Sequence, residues 1–273
     1  MARSFNGSSQ QFYAASAAAT GPPLAMSCWF NADPTISQDG TLVSLTEPDP
    51  SGQRFELQVQ RSSSKIRAVS RDSVGFGIAT SATTFSTGAW QHAFAVWYTS
   101  ADRRVWLNGG GQGTNATSSV PSGIAQTCLG ASRIGTPFAQ FKGFLAEAAI
   151  WAGSGVENMG AAEAAILAKS CSPRCLGRWL GNLVLYQDLI RPVNRPGTGP
   201  TMTEVGSPPS AAHPRMIYPR SHGLHLGRFF DPYAFNPYRA DAAMVDAGNV
   251  MRGFAASDGV ELGLTIPIGE VSI

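Results

Sequence analysis

Apolar and polar residues alternate along two neighbouring stretches near the middle of the chain. Residues 90–98 form the first stretch and residues 103–107 the second, with a short polar segment between them. A period of two is that of a β-strand with one buried face, so the pattern predicts a β-hairpin. The second stretch ends in Asn108-Gly109, which accepts positive φ angles, and we expect this dipeptide to turn the chain into another strand.

Further short stretches of the same character precede and follow the hairpin. Glycine, proline, asparagine and aspartate separate them, which is typical of an antiparallel sandwich. The predicted strands are residues 11–15, 25–31, 40–45, 54–60, 65–70, 76–85, 127–134 and 143–151, together with the hairpin. An alanine-rich stretch, residues 160–169, carries Lys169 in its last turn and predicts one short helix at the edge of the sandwich. The expected fold class is therefore all-β.

The alternation in the hairpin also separates two faces. Trp90, His92 and Phe94 share one face, whereas Ala93 and Trp97 lie on the other. We expect the face of Trp90, His92 and Phe94 to belong to the core of the sandwich. His92 would then be a core or half-buried histidine with its hydrogen bonds satisfied, and not a general base.

The composition of the chain argues against nucleic-acid binding and against a membrane span. Hydrophobic residues make up 43% of the sequence and charged residues only 14%, and the net charge is +2. Because this charge is small and the basic residues are dispersed, no nucleic-acid partner is expected. No stretch approaches the ~20 consecutive apolar residues of a membrane span. The first residues lack the apolar core of a secretory signal, so we expect neither a span nor a signal peptide.

The chain changes character towards its C-terminus. Prolines recur through residues 191–220, which excludes a regular helix or a central strand. Residues 221–238 are rich in aromatic side chains and poor in charge, unlike a disordered segment. We expect a sandwich over residues 1–190 and a long extended C-terminal arm over residues 191–273 that docks on partners. The aromatic residues expected to contact partners are Tyr218, Phe229, Phe230, Tyr233, Phe235 and Tyr238.

The cysteines predict buried thiols and no metal site. Cys28 lies within an apolar strand and is expected to be a buried free thiol. Cys171 and Cys175 are separated by three residues, and no pair of cysteines or histidines accompanies them at zinc-finger spacing. A local disulfide between them stays open for a protein that leaves the cytoplasm.

The acidic and histidine side chains do not form a recognisable catalytic set. A retaining glycosidase needs two carboxylates about 5 Å apart, but the strand of Glu147 holds no second one. Glu147 is therefore expected to be a structural residue, hydrogen-bonded near the strand end. No Gly-x-Ser-x-Gly motif accompanies His92, and His213, His222 and His225 lack the further ligands of a metal site. No catalytic residue is expected.

Aspartate and asparagine side chains in the loops are candidate ligands of a calcium ion, and no other cofactor is expected. The candidate ligands are Asp33, Asp39, Asp49, Asp72, Asp102 and Asn108. They are scattered among separate loops, and each of them also suits an ordinary turn. The sequence does not identify a ligand set.

Several of these segments together resemble a known family. They are residues 4–12, 26–30, 88–98, 105–109, 134–135 and 141–151, with a Trp-x-His strand, a Trp-Leu-Asn-Gly turn and a Gly-x-Leu-x-Glu-x-x-Ile-Trp strand. In this order they resemble the laminin-G or pentraxin-type jelly roll of the concanavalin A-like superfamily, from residue 4 to about residue 170. The resemblance implies an antiparallel jelly-roll sandwich. Family members that bind sugars use loop oxygens, sometimes through calcium, and exposed aromatic rings.

A second resemblance reaches further along the chain. Residues 186–190 and 212–219 are similar to the segment that follows such jelly rolls in structural proteins of tailed bacteriophages. This resemblance implies a place on a virion that is assembled in the host cytoplasm. The arm would fasten the protein to other virion proteins and to copies of itself.

The leading hypothesis from the sequence is a non-enzymatic virion structural protein that decorates or stabilises a phage particle. Its arm would be the anchor and its jelly roll would face outward. The alternative is a glycan-binding module that adsorbs to the host surface. A glycoside hydrolase is the remote alternative.

Overall fold

A computed structural model describes residues 2–48, 52–190 and 198–218 of the chain. Within these residues the chain is nearly all β, with antiparallel sheets and one short α-helix, α1 (Ala161–Ala168). The predicted fold class, an antiparallel jelly-roll sandwich with one short helix, is confirmed. Among the described residues, no helix is long and apolar enough to cross a membrane.

The strands are short and mostly follow the predicted stretches. They are β1 (Ala2–Asn6), β2 (Gln11–Ala14), β3 (Leu24–Ala32), β4 (Gly40–Thr46), β5 (Arg54–Gln60), β6 (Lys65–Arg71), β7 (Phe76–Thr80), β8 (Gln91–Thr99), β9 (Asp102–Leu107), β10 (Gly110–Asn115), β11 (Gln126–Leu129), β12 (Ser132–Ile134), β13 (Thr136–Phe138), β14 (Lys142–Ala152), β15 (Leu183–Gln187), β16 (Thr203–Val205) and β17 (Ser210–Ala211). Short 3-10 helices span Val156–Asn158, Pro173–Cys175 and Gly177–Asn182.

Two large sheets form the sandwich. The eight-stranded sheet has the order β10-β9-β8-β3-β14-β1-β17, with β15 also paired to β14. The seven-stranded sheet has the order β16-β2-β11-β4-β5-β6-β7. The strands β12 and β13 form a separate two-stranded sheet.

The main core lies between the two sheets. Phe55 of the seven-stranded sheet meets Trp97 of the eight-stranded sheet edge-on, with ring centroids 6.0 Å apart. Phe12 and Phe5 form a second edge-on pair across the sheets, at 5.8 Å. All four rings are buried, and large aromatic side chains of this kind dominate the free energy of a core.

The two faces of the predicted hairpin are the reverse of the expectation. Ala93 and Trp97 face the other sheet in the main core, whereas Phe94 packs on the outside of the eight-stranded sheet. His92 and Trp90 also lie on that outer side, against Trp29 and Phe144. The expectation that Trp90, His92 and Phe94 face the sandwich core is therefore wrong. Both faces of β8 are buried by other parts of the chain. Alternation shows that the strand has two faces, but it does not show which face packs against the second sheet.

The predicted turn at Asn108-Gly109 is confirmed. Both residues have positive φ angles, 53° and 74°, as the two central residues of a type I′ turn require. Asn108 also joins this turn to β8, because its Oδ1 accepts from the backbone N–H of His92 at 2.8 Å. The turn leads directly from β9 into β10.

Residues 198–218, which we call the strap, lie along one side of the sandwich. β16 pairs with β2 at the edge of one sheet, and β17 pairs with β1 at the edge of the other. Ile217 then reaches the segment at Cys171, where the two residues form a parallel bridge. Both strap strands are edge strands, as its prolines require. The proposed division at residue 190 stays a prediction, and residues 219–273 of the predicted arm lie outside the described residues.

Candidate functional site

The strand β5 of the seven-stranded sheet has a polar outer face. β5 alternates between inward apolar and outward polar side chains, which are Phe55, Leu57 and Val59 on the inside and Arg54, Glu56 and Gln58 on the outside. Its neighbours β4 and β6 place Ser44, Arg67 and Arg71 on the same outer face. Arg54, Glu56 and Ser44 are nevertheless buried, whereas Gln58, Arg67 and Arg71 are partly exposed.

Arg54 lies between two aromatic rings on this face. Its guanidinium carbon is 5.1 Å from the ring centroid of Phe138 on the β12-β13 hairpin and 5.7 Å from that of Phe76 on β7. Its Nε lies 3.0 Å from the carboxylate of Glu56, which is 1% exposed. The ion pair and the two rings fix the guanidinium in place.

Phe76 is the exposed aromatic of the site. It is 48% exposed, and a second guanidinium, that of Arg71, lies 5.1 Å from its ring centroid. Arg71 and Arg54 stand directly opposite each other on β6 and β5. We name the group Arg54, Glu56, Arg71, Phe76 and Phe138 the arginine-phenylalanine face.

A single carboxylate organises the rim beside this face. Asp72 accepts backbone N–H groups from Val74, Gly75 and Val120, each at 2.8 Å. The bond from Val120, followed by the other N–H groups, lowers the pKa of Asp72 below its usual value. Asp72 thereby holds two loops together, and their tips present Val74 and Val120, which are 94% and 63% exposed. The rim adds apolar surface beside Phe76.

Glu147 lies on the outer side of the other sheet, and both oxygens of its carboxylate accept hydrogen bonds. Tyr186 and Tyr218 donate their hydroxyl protons to its two carboxylate oxygens, each at 2.7 Å. His213 Nε2 lies 3.3 Å from the carboxylate, and Glu147 itself is 1% exposed. Its φ of 54° falls where β14 shifts register between Ala146 and Ala149. The hydrogen bonds expected of a structural Glu147 are present.

His92 is buried as predicted. It is 1% exposed, and its ring centroid lies 5.4 Å from that of Trp29. Burial lowers its pKa to about 3, so the imidazole is neutral at physiological pH. Its Nδ1 has no hydrogen-bond partner among the described residues, so the expectation of a fully satisfied histidine does not hold there.

The candidate calcium ligands are engaged by their own surroundings. Asp33 accepts from the backbone and hydroxyl of Thr35, Asp39 accepts from the backbone of Arg61, and Asp102 pairs with Arg104. Asp72 and Asn108 serve the loops described above, and Asp49 lies outside the described residues. Across residues 2–48, 52–190 and 198–218, no three His, Cys, Asp or Glu side chains are grouped as a metal site. A calcium site stays a prediction.

The cysteines are free thiols in this structure. Cys28 is buried within β3, as predicted, and burial raises the pKa of its thiol. Burial also raises the pKa of Cys175 to about 11, and its Sγ donates to the carbonyl oxygen of Ile217 at 3.2 Å. This bond is one of the contacts that hold the end of the strap.

One of the predicted partner-binding aromatics falls within the described residues. Tyr218 is 41% exposed and bonds to Glu147, so it joins the strap to the sandwich. The others, Phe229, Phe230, Tyr233, Phe235 and Tyr238, lie outside the described residues, as do His222 and His225. Their role in binding partners stays a prediction.

The arginine-phenylalanine face was not predicted from the sequence. The signal was present, because Arg54, Glu56 and Gln58 alternate with apolar residues and so mark a polar outer face. What the sequence does not show is which ring meets which guanidinium. Phe138 reaches Arg54 from a hairpin more than 80 residues along the chain.

Several solved structures are similar to this chain at low sequence identity. A native heptameric SAP-like pentraxin from Limulus polyphemus is 15% identical, with a TM-score of 0.49, over 68% of this chain and 90% of that chain. Domain 4 of AbnA, an extracellular arabinanase from Geobacillus stearothermophilus solved in complex with arabinotriose, is 20% identical, with a TM-score of 0.49, over 61% of this chain and 76% of that chain. Tailspike protein 2 from Escherichia coli O157:H7 bacteriophage CAB120 is 11% identical, with a TM-score of 0.48, over 66% of this chain and 25% of that chain.

Comparison of the sequence with family models identifies the family of the chain. No curated protein matches the sequence. A family model described as the concanavalin A-like lectin/glucanases superfamily matches residues 6–154, more than half of the chain. These residues contain the strands of both sheets from β2 to β14 and all of the arginine-phenylalanine face. The chain therefore belongs to the concanavalin A-like lectin/glucanases superfamily.

Proposed function

We propose that the chain binds a saccharide on the arginine-phenylalanine face. The observation that carries this proposal is Phe76, a ring that is 48% exposed on the outer face of the sheet, beside the guanidinium of Arg71. Sugar rings have apolar C–H faces that pack on aromatic rings, while their hydroxyls need hydrogen-bond donors and acceptors nearby. Arg71 provides such donors beside the ring, since its guanidinium carbon lies 5.1 Å from the ring centroid of Phe76. Membership of a superfamily that includes lectins supports the same role.

The proposed role is binding without hydrolysis. Glu56, the buried carboxylate of this face, is held by Arg54 at 3.0 Å. Glu147, the other buried carboxylate among the described residues, lies on the opposite sheet and accepts two tyrosine hydroxyls. Hydrolysis with retention needs two carboxylates about 5 Å apart on the same side of a sugar. The two buried glutamates belong to different sheets and do not suit that arrangement.

A glycan array with the full chain tests the proposal. We expect binding to at least one class of saccharide and about a tenfold loss of affinity for Phe76→Ala, which corresponds to about 1.4 kcal/mol. Leu180→Ala is the matched control, because Leu180 is also 48% exposed but lies in a 3-10 helix of residues 177–182, outside this face. Silence across the array would contradict saccharide binding. Equal losses for both variants would contradict the assignment to Phe76.

A second candidate function is attachment to a virion, which the sequence of the C-terminal arm favours. Residues 221–238 are rich in aromatics and poor in charge, and such a segment needs a surface to cover its aromatic rings. The strap brings the chain to Tyr218 on the outer side of the eight-stranded sheet, opposite the arginine-phenylalanine face. The arm would be anchored to other virion proteins or to further copies of the chain, and the arginine-phenylalanine face would bind a host-surface glycan.

Truncation tests the attachment proposal separately. A chain that ends at residue 218 keeps every described strand and the Tyr218 hydroxyl. We expect it to fold, to keep its saccharide binding and to lose incorporation into particles. Incorporation equal to that of the full chain, measured on purified particles, would contradict the anchoring role of the arm.

A further inference from the structure

We propose that the saccharide bound on the arginine-phenylalanine face carries an acidic group, a carboxylate or a sulfate, and that Arg71 binds it. This inference rests on the proposed saccharide-binding function and names the chemical class of its ligand. The distribution of charge on the outer face of β5, β6 and β7 carries it.

The carboxylates around this face already have partners. Glu56 is paired with Arg54 at 3.0 Å. Asp39 lies 3.4 Å from Arg67 and also accepts the backbone N–H of Arg61. Asp72, the residue next to Arg71, accepts hydrogen bonds from three backbone N–H groups of the rim. The nearest acidic side chain in sequence therefore does not neutralise Arg71.

Arg71 differs from Arg54 and Arg67 in having no carboxylate partner among the described residues. Within the described part of the chain, no carboxylate oxygen lies within the 4.0 Å of an ion pair with it. It stands directly opposite Arg54, and like charges in that position destabilise a pair of antiparallel strands. Glu56 compensates Arg54, but the charge of Arg71 has no such compensation. An anionic ligand would supply it.

The guanidinium of Arg71 is already oriented for such a ligand. Its carbon lies 5.1 Å from the ring centroid of Phe76, so the ring on which a sugar would stack also positions the cation. A planar guanidinium held in this way presents paired N–H groups to a carboxylate or sulfate with little further loss of side-chain freedom. The ring and the cation together select a saccharide over a simple anion.

Binding measurements with defined polymers test the inference. The probes are polygalacturonate, which carries carboxylates, dextran sulfate, which carries sulfates, neutral dextran, and a DNA duplex as a polyanion without this sugar chemistry. We expect the full chain to bind one or both acidic polysaccharides more tightly than dextran or DNA, with affinity that falls as salt is added. The preferred polymer identifies the acidic group.

Two arginine variants separate a specific contact from general charge. Arg71→Gln should weaken binding of the acidic polysaccharide about tenfold, and Arg71→Lys should recover part of that loss. Arg178→Gln is the matched control, since Arg178 also stacks on an aromatic ring, Trp179 at 4.8 Å, but belongs to the cover of the other sheet. An equal effect of the two glutamine variants, or DNA binding as tight as that of the polysaccharide, would overturn the inference.

The outcome also distinguishes this inference from the function on which it rests. If Phe76→Ala abolishes binding of a neutral saccharide while Arg71→Gln leaves it unchanged, saccharide binding stands and the acidic ligand does not. If no saccharide binds at all, the proposed function fails and this inference fails with it.

Discussion

Glu147 shows how one side chain can join parts of the chain that are distant in sequence. It bonds to Tyr186 of β15 and to Tyr218 of the strap, 39 and 71 residues away. Its own backbone has a positive φ of 54° in the register shift of β14, which turns the carboxylate towards both hydroxyls. A buried carboxylate is costly unless it is hydrogen-bonded, and here the two tyrosines meet that need.

Replacing this carboxylate should destabilise the fold. In Glu147→Gln an amide nitrogen takes the place of one oxygen, so one tyrosine hydroxyl loses its acceptor, and we expect a loss of about 2 kcal/mol in the free energy of unfolding. Urea denaturation measures the change. Glu157→Gln is the control, because Glu157 is an exposed carboxylate that accepts only the nearby N–H of Gly155 in the described structure. A Glu147→Gln midpoint equal to that of the control would contradict the structural role.

At the scale of elements, the β9-β10 turn is also a packing contact. A Cβ placed on Gly109 would come within 2.9 Å of the Cα of Ala165 and 3.1 Å of the carbonyl oxygen of Ala164, both in α1. Glycine at this position therefore serves two needs, the positive φ of the turn and the close approach of the helix. This contact places α1 over the end of the hairpin.

The adjacent glycine offers a matched test of this contact. Gly109→Ala should lower the free energy of unfolding by about 2 kcal/mol, through backbone strain and displacement of α1. In Gly110→Ala the added Cβ meets no atom within 4 Å, so the change should stay within about 0.5 kcal/mol. Thermal or urea unfolding of the two variants measures the difference. Similar effects at both positions would show that α1 does not rest on this turn.

The sequence could predict local elements better than their partners. The alternation at β5, β8 and β9 and the Asn108-Gly109 turn identified strands and a hairpin that the structure contains. The strands β1, β13, β15, β16 and β17 were missed, and a stretch predicted as one strand divides into β11 and β12 at Gly130, which has a φ of 79°. A Cβ on Gly130 would lie 2.3 Å from the ring of Phe5, a contact that arises only in the folded chain.

The same limit applies to the candidate site. The described loop acids favoured from the sequence bond to nearby loops and side chains. The arginine-phenylalanine face instead depends on contacts between β5, β6, β7 and the β12-β13 hairpin. The predicted structural role of Glu147 could be reached from the lack of a second carboxylate on its strand. Its partner Tyr218 could not, because the path of the strap across the sheet is set by tertiary packing.

At the scale of the whole molecule, the described structure has two unlike sides. The eight-stranded sheet is covered on its outer side by α1, the 3-10 helices and the end of the strap. The seven-stranded sheet keeps a polar outer face with Phe76 and the apolar rim. The proposed saccharide site lies on the sheet opposite this cover.

The strap has a further consequence, for how copies of the protein behave at high concentration. An unpaired strand at the edge of a sheet can recruit a strand from another molecule, which is a common route to aggregation. Here β16 and β17 cover the edges of β2 and β1, and on the opposite side Ala82 donates its backbone N–H to the carbonyl oxygen of Gly111 at 2.8 Å. The two prolines that close the turn between the strap strands, Pro208 and Pro209, offer no N–H to an incoming strand. The strap thus protects the sandwich from association through its open edges, and a chain cut before residue 198 would expose both edges of that side at once.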